Sequence, residues 1–238
     1  MSDHIKRVEL MECDYYRRFP SKLLLEYSMG FIMDDITPIG GGTENLYRQC
    51  GAVWMLSHSR ILQEEDIFPY DVLCFRVHRR VVEGARYVFL IDILREDRPI
   101  ARLDCSFIPV DKQARRVVRL EQVEKIWTEP PRTAESKHLQ RMRPKCAFYP
   151  CGEDTVRYSD CDWNGHMTSG AYVALACNMA GFWGAQEPRR MRKIQIDYAS
   201  EVYPGTRLTF ERGEEDGVQY LRGVKPDGKI AFTAACEF

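Results

Sequence analysis

The chain has 238 residues, 45% of them hydrophobic and 29% charged, and a formal net charge of −1 at pH 7. These values exclude a disordered chain and give no whole-protein case for binding nucleic acid or an anionic membrane. No apolar run is long enough to cross a bilayer, and the N-terminal residues lack the pattern of a secretion signal. We therefore expect a cytoplasmic protein that is not inserted in a membrane.

In chain order, an apolar helix is predicted over residues 21–33, with Ser21 as its N-cap and Pro38 beyond its end. Residues 86–94 are rich in β-branched and aromatic side chains and predict a strand. A second apolar helix, full of small residues, is predicted over 169–184, and an alternating strand over 192–198. Helices this apolar are typical of a buried position.

The two halves of the chain can be laid over each other. Residues 67–75 align with residues 202–210, and each half closes with a similar strand, 100–107 and 230–238. The order in both halves is a short strand, an apolar helix, and three or four strands. This duplication predicts an α+β fold of two tandem domains, each a curved antiparallel sheet wrapped around a central buried helix. We place the domains at 1–120 and 153–238.

Residues 121–152 are predicted to connect the two domains over the surface, because this stretch contains four prolines and many charges. Its basic residues leave open a second interpretation, a docking surface for an acidic partner. They include Arg132, Lys137, Arg141, Arg143 and Lys145.

The residues most suggestive of chemistry precede the second helix. Asp162, Asn164 and His166 stand at alternate positions, so in an extended or turning approach to the helix they would share one face and converge on one cavity. A helix start adds free N–H groups and a positive dipole end, which can hold an oxyanion. The equivalent place in the first half, residues 18–23, lacks this set, so we expect the second half to be catalytic and the first to shape a pocket.

Glu201, which follows the strand at 192–198, is a candidate fourth member of the site. We expect its pKa to be raised toward a general-base value by the apolar helix beside it. A solvated glutamate at a strand end is the alternative interpretation.

The nine cysteines give no sign of a disulfide framework or a metal site. Their number is odd, no C-x-x-C pair occurs, and several lie in apolar strand-like runs, so we expect reduced, mostly buried thiols. Cys161 is close to His166, but the alternation points it away from the other polar groups. Phosphate-loop, Rossmann and G-x-S-x-G motifs are absent from the sequence.

This arrangement resembles the acyl-acyl carrier protein (acyl-ACP) thioesterases, which are built from tandem hotdog domains. The resemblance spans roughly residues 5–238 and is most specific at 162–167, which is similar to the family's D-x-N-x-H-[VM] motif, with Tyr172 a turn further on. Residues 196–201 are similar to the strand that ends in the family's catalytic glutamate, and residues 54–57 to its W-[VM]-L-S strand.

The resemblance implies hydrolysis of a fatty acyl thioester on acyl carrier protein, ending fatty acid synthesis without any metal or organic cofactor. It implies catalytic roles for Asp162, Asn164, His166 and Glu201. Substrate-binding candidates are the helix-start Thr168 and four residues expected to set pocket depth, Leu25, Met29, Met33 and Trp54. We expect a monomer or a homodimer, since the duplication can supply the pairing that single domains obtain by dimerising.

Two departures from the family pattern and three alternative functions remain. Thr168-Ser169 replaces the usual pair of asparagines, and Val202 replaces the cysteine of plant members. Acyl-coenzyme A hydrolysis would use the same residues, although the basic residues 189–193 and the connection slightly favour an acidic carrier protein. A hydratase is disfavoured because the interval from Asn164 to His166 is two residues, and an acyl-sensing module would be expected to lack the polar set.

Overall fold

A computed structural model of the protein describes residues 1–78, 80–131, 139–181 and 190–238. Within them the chain forms one continuous, mainly antiparallel sheet with two long helices. The helices are α1 (Ser21–Ile36), α2 (Thr43–Cys50), α3 (Leu120–Glu124) and α4 (Ser169–Met179). The strands are β1 (Ser2–Arg7), β2 (Ala52–Gln63), β3 (Val72–Val77), β4 (Val81–Glu83), β5 (Arg86–Arg95), β6 (Arg98–Asp111), β7 (Tyr149–Thr155), β8 (Lys193–Tyr198), β9 (Arg207–Glu215), β10 (Val218–Val224) and β11 (Ile230–Glu237).

The order of the strands shows the duplication directly. The sheet runs β1-β3-β5-β6-β2-β8-β11-β10-β9-β7, with β4 paired to β5 outside this path. The five strands of the first half are therefore repeated in reverse order by the five of the second half, as two equivalent units joined edge to edge require. The predicted α+β architecture of two hotdog units is confirmed.

Both long helices are buried because their sequences leave little polar surface. In α1, the buried residues include Leu24, Leu25, Ser28 and Ile32, spaced as one face of a helix. The small residues of α4 allow close packing against α1, and Gly170 illustrates the closeness. A Cβ built there would lie 2.2 Å from the Glu26 carboxylate oxygen of α1.

The second helix is shorter in the described residues than the sequence predicted. It ends at Met179, and residues 182–184 of the predicted span 169–184 lie outside the described residues. The predicted span of the first helix, 21–33, was too short, since α1 continues three residues past Met33 to Ile36. Its first residue is Ser21, and the N-cap position is occupied by Pro20 rather than by Ser21.

The seam between the halves is the antiparallel pair β2–β8, in which His58 faces Asp197. On one face of this seam, His58 Nδ1 lies 2.8 Å from the Asp197 carboxylate, which also accepts the Met142 N–H at 2.6 Å. On the opposite face, the Tyr198 hydroxyl lies 3.5 Å from the Ser169 carbonyl of α4. The chain around Met142 therefore crosses the sheet on the side away from the helices.

The domain boundaries at 120 and 153 stay a prediction. Two elements lie across them, because α3 begins at Leu120 and β7 begins at Tyr149, inside the stretch predicted as connection. Arg132 and Lys137 of that stretch lie outside the described residues.

Removing the Asp197 carboxylate is expected to loosen the seam. In Asp197→Ala the partly buried His58 ring and the Met142 N–H lose their shared acceptor, and the free energy of unfolding should fall by about 2–3 kcal/mol. Urea denaturation followed by fluorescence measures the change. Asp227→Ala, in an exposed turn, is the control, and equal losses in the two variants would contradict the seam's role.

Candidate active site

The polar stretch before α4 is a tight closed turn rather than an extended segment. The Asp162 carboxylate accepts the Asn164 N–H at 2.8 Å, and the Asp162 N–H donates to the His166 carbonyl at 2.9 Å. Gly165 has a φ of 77°, which a glycine adopts without steric cost. The prediction that alternation places three side chains on one face was therefore wrong in its geometry, because the chain reverses at Gly165.

The turn separates its three polar side chains into different environments. Asp162 and Asn164 are exposed and lie together, with the Asn164 amide nitrogen 3.4 Å from the second Asp162 oxygen. His166 points elsewhere: its Nδ1 lies 3.9 Å from Glu201 Oε1. The structure thus brings His166 to Glu201 and Asn164 to Asp162, as two neighbouring pairs.

Backbone pairing explains why His166 and Glu201 meet although they are far apart in sequence. The Met167 N–H donates to the Val202 carbonyl at 2.9 Å. This bond holds two segments of the chain together one residue beyond His166 and one residue beyond Glu201. The Tyr172 hydroxyl adds a contact of 3.5 Å to the Ser200 carbonyl on the other side. Glu201 is consequently held at the start of α4, with its side chain 16% exposed.

Thr168 is the N-cap of α4. Its hydroxyl accepts the Ala171 N–H at 3.1 Å, so the hydroxyl serves in place of the asparagine amide expected from the resemblance. The N–H groups of Ser169 and Gly170 have no acceptor among the described residues. This helix start therefore offers two free donors at the positive end of the helix dipole.

Two further residues contact Glu201, and neither belongs to a motif recognised in the sequence. Arg115, which follows β6 in the first half, forms an ion pair with Glu201 Oε2. The Tyr203 hydroxyl donates to the same oxygen at 3.2 Å, and the Tyr203 ring packs edge-on against His166 with 5.0 Å between centroids. The spacing of Tyr203 from Glu201 is a usable sequence signal, whereas Arg115 is 86 residues away.

These contacts overturn the expectation of a raised pKa at Glu201. Partial burial raises the pKa of this carboxyl. The hydrogen bond from Arg115 and the charge of a protonated His166 together lower it by more than burial raises it, so the net pKa lies below its ordinary value. Glu201 is therefore ionised at neutral pH. Whatever stability its contacts supply is lost only as the pH falls through this lowered pKa.

The four residues predicted to line the acyl pocket lie in the first half, around its apolar core. Leu25 is fully buried, Met29 and Met33 pack against the core, and the Trp54 indole N–H donates to the Gly41 carbonyl at 2.8 Å. The first half also contains a cavity of about 230 Å³, and none of the four predicted pocket residues lines it. It is bordered by apolar residues that include Ile36, Ile39, Val77, Phe89 and Trp127. The pocket role of the four stays a prediction.

Among the described residues, no cluster of His, Cys, Asp and Glu has a geometry that would hold a metal ion. Cys161, next to the turn, has a raised pKa because of burial, which disfavours its thiolate. In the described part of the chain, no helix is long and apolar enough to cross a membrane.

The fold and this helix-start arrangement define a tandem hotdog protein with a polar site in its second unit. Residues 151–238 match the model of the acyl-ACP thioesterase C-terminal domain. Over these residues the chain is similar to that family, which bears out the resemblance seen in the sequence. No curated protein sequence matches the chain.

Solved structures share the fold over the whole chain at low sequence identity. An acyl-ACP thioesterase from Bacteroides thetaiotaomicron is 18% identical with a TM-score of 0.81, covering 100% of this chain and 97% of that one. A 12:0-ACP thioesterase from Umbellularia californica is 14% identical with a TM-score of 0.76, covering 99% and 96%. HtdX of Mycobacterium tuberculosis is 9% identical with a TM-score of 0.61, covering 99% of each chain.

Replacing Arg115 is expected to raise the pKa of Glu201. In Arg115→Gln the carboxylate loses its strongest stabilising partner while its partial burial remains, so the pKa shifts upward. Titration of side-chain-labelled glutamate by carbon NMR measures the pKa directly. Arg207→Gln, which removes the partner of the exposed Glu153, is the control. An unchanged Glu201 titration in Arg115→Gln would show that the ion pair is not formed in solution.

Proposed function

We propose that the protein is an acyl-ACP thioesterase that hydrolyses fatty acyl thioesters to free fatty acid and carrier-protein thiol, ending fatty acid synthesis. The observation that carries the proposal is the meeting of His166 and Glu201 at a helix start with two free N–H donors. The family match of residues 151–238 supports the same reaction class.

The free N–H groups of Ser169 and Gly170 are suited to the thioester carbonyl. As water attacks, the carbonyl oxygen becomes negative, and donors already fixed by the helix stabilise it without reorganising. One donor of this kind is typically worth about 3 kcal/mol. The Thr168 cap holds the donors in place by fixing the first turn of the helix.

His166 is the better candidate for taking the proton from water. The ion pair with Arg115 makes Glu201 a weak base, whereas histidine is the side chain that most often transfers protons in catalysis. In this mechanism the negative charge of Glu201, 3.9 Å away, stabilises the imidazolium that forms. Tyr203 and Arg115 hold Glu201 in position.

Asn164 and Asp162 act together at the mouth of the site. The exposed Asn164 amide is available to orient the water or the carbonyl, and Asp162 fixes the turn by accepting the Asn164 N–H. The leaving thiolate needs little acid assistance, because a simple thiol has a pKa of about 8.5. The reaction therefore needs no metal or organic cofactor.

Substitution of the two central residues tests the mechanism. His166→Ala and Glu201→Gln are each expected to lower kcat by about 100-fold or more, with the larger loss in His166→Ala, because the first removes the base and the second only its stabilising charge. Release of thiol from acyl-ACP over a series of chain lengths gives the rates.

Two control variants separate this proposal from general damage and from thiol catalysis. Glu153→Gln removes a carboxylate remote from the site, and Cys161→Ala removes the neighbouring thiol; both should keep wild-type rates. Retained hydrolysis in both His166→Ala and Glu201→Gln would rule out the assignment, and loss in Cys161→Ala alone would favour a cysteine nucleophile.

Hydrolysis of acyl-coenzyme A is the second candidate, and the same residues would perform it. Comparing kcat/KM for the two thioesters at matched chain length distinguishes the carriers. Hydration of a double bond without release of acid would instead support a hydratase.

A further inference from the structure

The loop between β6 and α3 concentrates positive charge. We call residues 111–119 the basic loop: it contains Lys112, Arg115, Arg116 and Arg119 and a single carboxylate, Asp111. All four cations are exposed. The Asp111 carboxylate accepts the N–H groups of Gln113 and Ala114 at 2.9 and 2.7 Å, so it is committed to the loop's own backbone.

The basic loop has a defined shape. The Asp111 N–H donates to the Arg116 carbonyl, and the Arg115 N–H donates back to the Asp111 carbonyl, both at 2.9 Å. Val110 and Val117 pair across the base of the loop. The cations are therefore presented from a closed hairpin, so little ordering entropy is spent when a partner binds.

Two of the four cations are free to meet a partner. Arg115 is paired with Glu201, and Lys112 lies over the Tyr47 ring, 5.4 Å from its centroid. Arg116 and Arg119 form no ion pair within the part of the chain that the structure describes. Unpaired exposed cations at an interface attract a negatively charged partner and speed its association.

The position of the basic loop distinguishes it from the chain's other basic surfaces. Arg141 and Arg143 flank Met142, which crosses the sheet on the face away from the helices. Arg190 and Arg192 lie before β8, whereas Glu201 lies beyond its other end. The first and last Cα atoms of β8 are about 17 Å apart at roughly 3.3 Å per residue, so these two arginines are far from Glu201. Of these basic surfaces among the described residues, the basic loop is the one that contacts the candidate catalytic carboxylate.

Exposed aromatic side chains lie in the segments that form the site. Tyr158 is 91% exposed, Trp163 is 85% exposed and Tyr203 is 51% exposed. Large aromatic groups beside arginine are typical of residues that dominate protein–protein interfaces. Binding a small flexible molecule would not require these exposed aromatic side chains.

We propose that the basic loop, with these aromatic residues, is the docking surface for an acidic carrier protein. The proposal rests on the function proposed above and deepens it, because it assigns recognition of the carrier to the first half and chemistry to the second. Docking places the thioester arm beside Glu201, since Arg115 belongs to both the docking loop and the site.

Charge reversal at the two free arginines tests this assignment. Arg116→Glu combined with Arg119→Glu should lower kcat/KM for acyl-ACP about tenfold or more, through KM, with the difference shrinking at high salt. Hydrolysis of the acyl-N-acetylcysteamine thioester, which has no carrier, should be unchanged. Arg141→Glu combined with Arg143→Glu is the matched control and should behave as the wild type with both substrates.

Other outcomes would overturn the docking assignment. These are an equal loss in the control pair, a loss with the carrier-free thioester, or a loss with acyl-coenzyme A as large as that with acyl-ACP, which would indicate a phosphate site. If the wild type hydrolyses no thioester, the proposed function fails. Titration of ACP against the same two variants would then test docking alone, and equal affinities would reject it.

Discussion

The hydrogen-bonded pairing of β2 with β8 is the constraint on which the rest of the molecule depends. It joins two equivalent five-stranded units into one sheet, with α1 and α4 in contact. Because the seam is antiparallel and in register from His58 to Leu62, the end of β6 in one unit is carried toward the segment after β8 in the other. The ion pair between Arg115 and Glu201 is a consequence of that registration.

The candidate site consequently depends on both halves, although its polar motif lies in one. The second half provides the capped helix start, the turn and Glu201. The first half provides Arg115, which lowers the pKa of Glu201 and so changes which residue is suited to accept a proton. A site built from the second half alone would hold a glutamate of higher pKa and therefore a stronger base.

The architecture could be predicted because it depends on periodic features repeated twice. Similar turn residues precede residues 72 and 207, and α4 is rich in small residues. Few folds other than a duplicated sheet with buried helices are compatible with both features. The local geometry of the motif could not be predicted in the same way, because alternation does not show where the chain reverses, and the hydrogen bonds of Asp162 close a turn that separates His166 from Asn164. The prediction of the Glu201 pKa failed for a different reason. Burial beside an apolar helix can be inferred from the sequence, whereas an ion-pair partner 86 residues away cannot.

The close approach of α1 to α4 at Gly170 has a consequence for how such a protein diversifies. The absence of a side chain at this position leaves room for the Glu26 side chain, so the first half packs directly against the turn that offers the free N–H donors. A larger residue there would displace the Glu26 side chain from this turn. For the thioesterase proposed above, we therefore expect a substitution at Gly170 to disturb the packing of the first half and the donors of the second together.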